Sequence, residues 1–464
     1  MNRLPKIALL LLVLPVATLL HAQKQWTLQE CIQYALENNL NIKQQMLAIE
    51  RDKNQLEQSK WALGPSISAS TDYRLSWGRT PNMQTLEMDA DFSQSGYGSI
   101  GASIDLYKGL QKVNTIKSNT AQLELSGQEV EKLKNDISIN IAQTFLQVLL
   151  AQEMVEMAKL SRQSVLEQAE RTKKLVDAGN LALSSLLEIQ AQLATEQVQV
   201  VSAENALRTN YLSLIQILDL SHEADFLIAI PNIQVDTIGF LGASVESLYQ
   251  ISQTLPNIQI GEFALQQRSY QLAATKGQRL PSISLSSGIS STYSPKTQVL
   301  DNVMTPEPTP EDPFPAPIYN YRNSSFFEQI KNHRSTYVGV SLSIPILSGK
   351  AISTNIRNAT LGVRQAEIDM KNRQQALYKE IQQANNEALS AFERYRATAQ
   401  NVKSMEESFS YMQQRLDLGM VNGTDYTVAK TNLFRAQSDN LQAKYQYVFQ
   451  LKILDFYKGV PISL

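Results

Sequence analysis

The 464-residue sequence predicts a mainly α-helical protein whose four β-strands belong to a membrane β-barrel that several chains share. Three observations indicate this fold class. Two stretches of about seventy residues lack proline and repeat apolar or small residues at every seventh position, which predicts long antiparallel coiled-coil helices. Two pairs of shorter segments alternate apolar and polar residues, as strands with one apolar face do. The second half of the chain repeats the order of the first, so the fold is duplicated.

The N-terminal segment, residues 1–22, has the features of a secretory signal peptide. Arg3 and Lys6 precede an apolar core, and Ala22 offers a cleavage position before Gln23. The mature chain is therefore expected outside the cytoplasm. No later segment contains about 20 uninterrupted apolar residues, so the sequence predicts no transmembrane helix.

Composition and charge argue against several classes of function. With 42 basic and 44 acidic residues, the chain is nearly neutral and has no electrostatic footprint for nucleic acid. Cys31 is the single cysteine, and we expect it to be a small apolar residue on a helix face. The three histidines lack the spacing of metal ligands, and no glycine-rich phosphate loop is present. We expect no cofactor, no metal and no enzyme chemistry.

The first structural repeat is expected at 23–220 and opens with a helix. Thr27 and Glu30 fit a capping box at its start, and Asn38-Asn39 marks a break. The elements expected next are a β-hairpin at 66–107 with a polar loop at 78–95, a long helix at 110–178, a return helix at 184–219 and a linker at 221–243.

The long helix of the first repeat is identified by its apolar seam. The seam positions are Ile116, Leu123, Val130, Ile137, Thr144, Ala151, Ala158 and Val165. At a rise of 1.5 Å per residue, this helix is about 100 Å long. No ordinary globular core needs so long a helix, so we expect an elongated helical hairpin.

The second structural repeat is expected at 244–458 and has the same order of elements. They are an opening helix, a β-hairpin at 282–347, a long helix at 350–418, a return helix at 424–457 and, after the repeat, a C-terminal tail at 459–464. Its seam positions are Ile356, Val363, Met370, Leu377, Ala384, Ala391, Thr398 and Met405. The second hairpin contains an extra segment, 298–320, that is rich in proline and acidic residues, and we expect it to be a mobile loop.

Each long helix ends at a predicted chain reversal. The first lies at 177–180 and has Gly179 at the C-terminal cap of the helix. The second lies at 415–419 and ends on Gly419. Both are expected to turn the chain back into an antiparallel helix.

Four strands with one apolar face suggest a wall between lipid and water. A tilted strand spans a bilayer with about 9–11 residues, and each predicted strand is long enough. Four strands cannot close a membrane barrel, and lipid does not tolerate open sheet edges. Several chains must therefore contribute, and a trimer would supply twelve strands. The alternative is that the two hairpins cap a soluble helical bundle.

The chain resembles the TolC family of outer-membrane efflux channels over essentially its whole mature length. The resemblance lies in the opening segment TLQECIQYALENNLNIKQQ, the strand-to-helix junctions SIDLYKG and SIPILSG, and the reversal segments VDAGNLALSSLLEIQAQL and LDLGMVNGTDYTVAKTNL. It implies a homotrimer in the outer membrane of a Gram-negative bacterium. The twelve-stranded barrel of such a trimer continues into an α-helical tunnel in the periplasm.

The resemblance also implies a function and a set of partners. The trimer would be the exit duct of a tripartite efflux pump or of a type I secretion system. It would dock a periplasmic adaptor and an inner-membrane transporter of the RND, ABC or MFS type.

The resemblance further implies a gate at the periplasmic entrance. Family members carry acidic side chains just after the second reversal, where this chain has Asp425. Glu188 is the nearest acid in the first repeat, and Asp417 and Arg415 complete the candidate entrance residues. Val428 stands where the family often has a second acid. The alternative for Asp425 is a solvated acid in a first helical turn, where the helix dipole favours it.

A second set of candidate residues lies at the reversals themselves, where family members dock the adaptor. These residues are Asp177, Gly179, Asn180, Leu418 and Gly419. Away from the reversals, Trp61, Trp77 and Tyr73 fit either a membrane interface or ordinary packing.

Two rival functions remain open at the level of the sequence. One is a secreted coiled-coil scaffold or adhesin without a channel, and the other is a periplasmic adaptor, which also has long helical hairpins. Adaptors usually carry a lipoyl-like β-domain, which we do not find in this sequence. Ion conductance in lipid bilayers would distinguish a channel from a scaffold.

Overall fold

The computed structural model describes residues 25–81, 88–89, 92–220, 226–231, 244–310, 314–418 and 420–463. The expected signal peptide at 1–22 and most of the linker at 221–243 lie outside these residues. The helices are α1 (Leu28–Asn38), α2 (Leu40–Trp61), α3 (Gln111–Asp177), α4 (Leu183–Leu218), α5 (Val245–Ser252), α6 (Pro256–Lys276), α7 (Phe326–Asn332), α8 (Ala351–Asp417) and α9 (Gly423–Tyr457). The strands are β1 (Gln25–Trp26), β2 (Ser66–Ser76), β3 (Thr80–Pro81), β4 (Met88–Asp89), β5 (Ser93–Lys108), β6 (Leu227–Ile228), β7 (Ser282–Tyr293), β8 (Gln298–Met304), β9 (Ile318–Asn323) and β10 (Ser335–Ser343).

The start of α1 has the capping box that the sequence predicts. The Thr27 hydroxyl accepts a hydrogen bond from the Glu30 N–H at 3.2 Å, and the Glu30 carboxylate accepts one from the Thr27 N–H at 2.9 Å. The helix ends at Asn38, and the Asn39 side chain accepts a hydrogen bond from the Asn41 N–H at 2.9 Å in the first turn of α2. The predicted box and the predicted break are both confirmed.

The two longest helices, α3 and α8, are 67 residues long each. Each lies one residue inside the range that its seam predicts at both ends. No seam residue of either helix is exposed. Four alanines of the two seams are fully covered, which allows neighbouring helices to approach closely; they are Ala151, Ala158, Ala384 and Ala391.

One apolar core joins α1, α3, α4 and α9. Its buried side chains include Leu28, Cys31, Phe145, Leu149, Leu214, Leu218, Tyr445 and Val448. Cys31 has no exposed surface and lies on the inner face of α1, as the sequence predicts.

Part of the segment predicted as a linker belongs to this core. Strand β6 pairs in parallel with β1, which places Ile228 opposite Trp26. Phe226 and Ile228 are buried, and the rings of Phe226 and Trp26 lie 5.6 Å apart. These apolar side chains are covered on folding, so residues 226–228 do more than connect the two repeats.

The long strands of both hairpins form one antiparallel sheet in the order β10-β7-β5-β2. The register places Ala69 opposite Ile100, Ile100 opposite Ile289, and Leu285 opposite Val340. Directly paired residues share a face, because successive side chains of a strand alternate between the two faces. The four strands therefore have one common apolar face.

The opposite face of this sheet is lined by serine. Three cross-strand pairs have their Oγ atoms within hydrogen-bond distance: Ser66 with Ser103 at 2.9 Å, Ser70 with Ser99 at 2.9 Å, and Ser284 with Ser341 at 2.7 Å. The sheet therefore separates an apolar surface from a hydroxyl-rich one.

Two strand boundaries differ from the sequence prediction. Strand β5 begins at Ser93, inside the expected loop at 78–95, because it pairs with β2 as far as Ser76 and satisfies the backbone groups of that strand. Strand β10 ends at Ser343, before the end expected at 347. Pro345 follows two residues later and has no N–H to donate to the sheet.

The prediction of a loop over the whole of 298–320 is wrong at both ends of the segment, where strands β8 and β9 lie. Strands β8 and β9 pair in antiparallel register, with an irregularity between Leu300 and Asn302. Apolar and aromatic residues such as Val299 and Tyr319 favour strands at both ends of the segment. The prolines that suggested disorder cluster in the connection between the two strands.

The chain divides into two compact units that cut across the sequence duplication. One unit comprises residues up to Gln44, Val130–Leu255 and Gln374–Leu464, and the other comprises Gln45–Glu129 and Pro256–Arg373. Each unit contains residues of both repeats, so the repeats are not separate domains. None of the described helices combines the length and the apolarity that crossing a membrane would require.

Candidate functional site at the two helix reversals

The first reversal, after α3, is a Schellman motif. Gly179 has a left-handed backbone with φ of 76°. Its N–H donates to the Val176 carbonyl at 2.9 Å, and the Asn180 N–H donates to the Leu175 carbonyl at 2.8 Å. These bonds satisfy carbonyl groups that have no partner inside the helix. The side chain of Asp177, the last residue of α3, is exposed.

The second reversal, after α8, has the same outer hydrogen bond. The Met420 N–H donates to the Arg415 carbonyl at 2.9 Å, and the Arg415 side chain is exposed. Gly419, the predicted cap, and the side chain of Asp417 lie outside what the structure describes. The pairing of Arg415 with Asp417 therefore stays a prediction.

Both reversals expose large apolar side chains. At the first they are Leu181, Leu183 and Leu187, and at the second they are Leu418, Met420 and Val428. An exposed apolar group of this kind is typical of a surface that binds another protein.

The two return helices begin differently. In α9 the Asn422 side chain accepts a hydrogen bond from the Asp425 N–H at 2.8 Å, so Asn422 is an N-cap. In α4 the N-cap is Ala182, whose side chain cannot accept one. Asn422 is not among the residues predicted from the sequence, although an asparagine three positions before an acid is a known start signal.

The structure brings two of the candidate entrance acids to the start of α9. Asp425 lies in the first turn of that helix, and its side chain is exposed. Glu188, on α4, places its carboxylate against Gly423, the first residue of α9. A Cβ atom at Gly423 would lie 3.1 Å from the Glu188 Oε2 atom. Both acids therefore lie near the positive end of the α9 dipole, which favours negative charge.

A buried cluster supports both reversals. Its members are Val165 and Ala169 of α3, Ile189 of α4 and Tyr426 of α9. Tyr426 is 2% exposed, and its ring lies 5.3 Å from that of Phe409. Leu186, at the equivalent position of the first repeat, packs partly buried against the same cluster.

Lys430 is a partly buried cation one turn beyond this cluster that sequence reasoning missed. Its Nζ atom lies 5.2 Å from the centre of the Phe409 ring. Burial lowers the pKa of Lys430, and the buried Glu196 carboxylate partly offsets this effect. Lys430 and Glu196 belong to different helices, so no local pattern in the sequence indicates their encounter.

The fold and the candidate site at the reversals together indicate the class of protein to which this chain belongs. Long helical hairpins with matching reversals and a sheet that divides an apolar from a hydroxyl-rich surface are typical of a subunit of a membrane channel. The family model for outer membrane efflux proteins matches residues 31–219 and 248–459, most of the chain. The chain belongs to this outer-membrane family, which confirms the resemblance seen in the sequence.

Individual relatives are distant but match nearly end to end. The alkaline protease secretion protein AprF of Pseudomonas aeruginosa is 21% identical over 433 residues, which cover 92% of this chain and 83% of AprF. The outer membrane protein TolC of Vibrio cholerae is 21% identical over 401 residues, 85% of this chain and 81% of TolC. The crystal structure of CusC matches with a TM-score of 0.76 at 15% identity and covers 94% of this chain and 92% of CusC. The structural match confirms the predicted fold class.

Proposed function

We propose that three copies of this chain form an exit duct across the outer membrane. The duct is passive and is energised by its partners, a periplasmic adaptor and an inner-membrane transporter of the RND, ABC or MFS type. It serves a tripartite efflux pump or a type I secretion system. The observation that carries this proposal is the register of the four-stranded sheet.

The two faces and the two edges of the sheet support a shared barrel. The apolar face suits lipid, and the serine-lined face suits a water-filled lumen. The outer strands of the sheet, β2 and β10, leave backbone groups without partners in the sheet, which lipid would not tolerate. Pairing these edges between three copies gives twelve strands, above the minimum of about eight for a closed membrane barrel.

The acids near the start of α9 support a gate at the periplasmic entrance. In a threefold assembly the exposed Asp425 carboxylates of three chains approach a common axis. Like charges repel, so the ring favours cations unless it is protonated. Glu188 adds a second acid beside it, and Arg415 and Asp417 lie at the end of the preceding helix.

The exposed reversals support docking of the adaptor. We assign this contact to Asp177, Gly179 and Asn180 at the first reversal and to Leu418 and Gly419 at the second. Apart from its two chain neighbours, no described residue has an atom within 4 Å of a Cβ placed on Gly179, so a partner backbone has room to approach there.

The duct itself is tested by imaging and by conductance. The mature protein, extracted from outer membranes in detergent, should form threefold particles in negative stain. The same sample should produce discrete single-channel currents in planar bilayers. A compact monomer that carries no current would overturn the duct and favour a secreted scaffold.

The gate is tested with Asp425→Asn. Removing the charge while keeping the shape should raise conductance and weaken block by multivalent cations such as cobalt hexammine. Ser185→Ala, at the equivalent position of the first repeat, is the matched control and should leave block unchanged. Equal block in Asp425→Asn and in the unmodified channel would remove Asp425 from the gate.

Docking is tested with Gly179→Arg. The bulky charge should abolish export while trimers and single-channel currents persist. Gln190→Arg, on the exposed side of α4 beyond the reversal, serves as the control and should export normally. Normal export by Gly179→Arg would move the docking surface elsewhere.

A further inference from the structure

The short helix α7 lies on the apolar side of the sheet. Ser291 and Tyr293 share the face of β7 that carries Ile289, because they follow it at alternate positions. The Ser291 hydroxyl donates a hydrogen bond to the Ile330 carbonyl at 3.1 Å. The rings of Tyr293 and Phe326 lie 5.1 Å apart. Helix α7 therefore covers the end of β7 on the apolar surface and not on the serine surface.

Polar contacts beneath α7 fix its orientation. The Gln329 side chain is fully buried, accepts a hydrogen bond from the Ser294 N–H at 2.8 Å and donates one to the Ser324 carbonyl at 2.9 Å. A further hydrogen bond of 3.1 Å joins the His333 Nδ1 atom to the Thr292 carbonyl. Because these contacts use the inner face of the helix, its outer face stays directed away from the sheet.

The outer face of α7 combines apolar and basic side chains. Phe326, Phe327 and Ile330 are 50%, 82% and 37% exposed. Lys331 on α7 and Arg334, two residues after the helix, are also exposed, and neither forms an ion pair with another described residue. This combination is typical of a helix that lies in a membrane interface.

The acidic residue of α7 does not cancel this positive charge. Both oxygens of the Glu328 carboxylate accept hydrogen bonds from the Arg322 guanidinium, at 2.9 and 3.0 Å. Arg322 also lies 3.3 Å from Asp301 on β8. Arg322 offsets the charge of Glu328, and Asp301 leaves one net negative charge on the β8 side. Lys331 and Arg334 are thus the basic side chains near α7 that can bind an external anion.

The aromatic residues of α7 continue a row that starts on the sheet. A Cβ placed on Gly96 would lie 3.5 Å from both Tyr73 and Tyr293, so these rings flank that glycine. Tyr293 contacts Phe326, and the rings of Phe326 and Phe327 lie 5.4 Å apart. Aromatic rows of this kind mark the level at which a membrane strand leaves the hydrocarbon.

We propose that α7 is an interfacial anchor that binds phosphate-bearing lipid headgroups. Phe326 and Phe327 insert at the boundary of the hydrocarbon, and Lys331 and Arg334 bind the headgroup phosphates. The inference rests on the proposed function, since it requires the apolar face of the sheet to lie in lipid.

The test measures the depth of single labelled positions in reconstituted vesicles. In a Cys31→Ala background, Phe327→Cys carries an environment-sensitive fluorophore, and quenching by a headgroup-level spin-labelled lipid is compared with quenching by aqueous iodide. Phe314→Cys, in the connection between β8 and β9, is the solvent reference, and Val340→Cys, on the apolar face of β10, is the lipid reference. The label at 327 should be quenched severalfold more by the lipid probe, and severalfold less by iodide, than the label at 314.

The two reference positions separate failure of the anchor from failure of the channel. Iodide access at 327 equal to that at 314, with the label at 340 in lipid, would overturn the anchor and leave the channel standing. If iodide also reaches the label at 340, the apolar face of the sheet does not lie in lipid. This result would overturn the membrane placement on which the anchor and the channel both depend.

The headgroup contact is tested with lipid charge. Adding phosphatidylglycerol to phosphatidylcholine vesicles should increase the protection of the label at 327 from iodide. The double variant Lys331→Glu/Arg334→Glu should lose this dependence on anionic lipid. The same dependence in the double variant would overturn the assignment of Lys331 and Arg334 to the headgroups.

Discussion

The two helix reversals share their outer backbone hydrogen bond and differ in their side chains. In the first, the Asn180 N–H donates to the Leu175 carbonyl, and in the second the Met420 N–H donates to the Arg415 carbonyl at the equivalent place. The following helix begins behind Ala182 in the first reversal and behind Asn422 in the second.

The comparison shows that both repeats reverse the chain after the long helix, but that the functional side chains at four equivalent positions occur only in the second repeat. The second reversal has a capping side chain, an acid, a buried aromatic ring and a partly buried cation. These are Asn422, Asp425, Tyr426 and Lys430, where the first reversal has Ala182, Ser185, Leu186 and Gln190. Each substitution below removes one of these differences or tests the turn that both copies share.

The largest effect is expected from Tyr426→Ala. Removing a large buried ring should reduce the local stability of the reversals by about 3–5 kcal/mol, because the cavity is not refilled. Leu186→Ala, at the equivalent but only partly buried position, should cost less. Hydrogen exchange of the amides of α3 around Val165 measures both. Equal losses would mean that the two repeats support the cluster equally.

Gly179→Ala should have the next largest effect. A side chain at a φ of 76° costs about 1–2 kcal/mol, because its Cβ approaches the following carbonyl. Gly127→Ala, in the interior of α3, is the matched control and should stabilise by about 0.5–1 kcal/mol. Amide exchange near each site gives the two values. A neutral Gly179→Ala would show that the turn does not need the left-handed residue.

Asn422→Ala should cost about 1 kcal/mol, since it removes the side chain that accepts the Asp425 N–H. The reciprocal change, Ala182→Asn, should stabilise the start of α4 by a similar amount. Amide hydrogen exchange in the first turns of α4 and α9 reports the fraying of each helix and checks both substitutions. No change in either direction would mean that capping does not distinguish the two reversals.

Lys430→Gln should have the smallest effect and only at alkaline pH. The pKa of Lys430 is lower in the folded chain than the ordinary value of 10.5, so the unfolded chain binds more protons between these two values. Lys430 should therefore contribute a rise of stability with pH through that window, and this contribution should be missing from the profile of Lys430→Gln when the two proteins are compared. Gln190→Lys, on an exposed surface, should add no such rise. A rise that survives in Lys430→Gln would assign it to another group.

Local patterns in the sequence predicted the elements with good accuracy. The seams identify both long helices. The proline-free stretches that contain them, bounded by Gly109 and Gly179 and by Gly349 and Gly419, place the helix ends to within one residue of the expected ranges. Alternation predicts the apolar face of the sheet, and Thr27 with Glu30 predicts the start of α1. The candidate roles of Asp425 and Gly179 came from resemblance to a family and stay predictions.

The predictions that failed concern segments whose amino-acid composition does not indicate how they pack in the folded chain. The prolines near β8 and β9 concealed two strands, because the prolines lie only in the connection between them. Phe226 and Ile228 looked like linker residues, since the partner that covers them, Trp26, lies at the far end of the first repeat.

By itself the sequence determined which faces of the helices and strands are apolar and where the long helices begin and end, because these properties depend on neighbours a few residues away. Only the tertiary structure decided that Glu188 lies against Gly423, that Lys430 faces Glu196, and that α7 covers the apolar side of β7. Each of these contacts joins residues that no short-range periodicity links. They depend on how separate elements pack, and that packing is set by the chain as a whole.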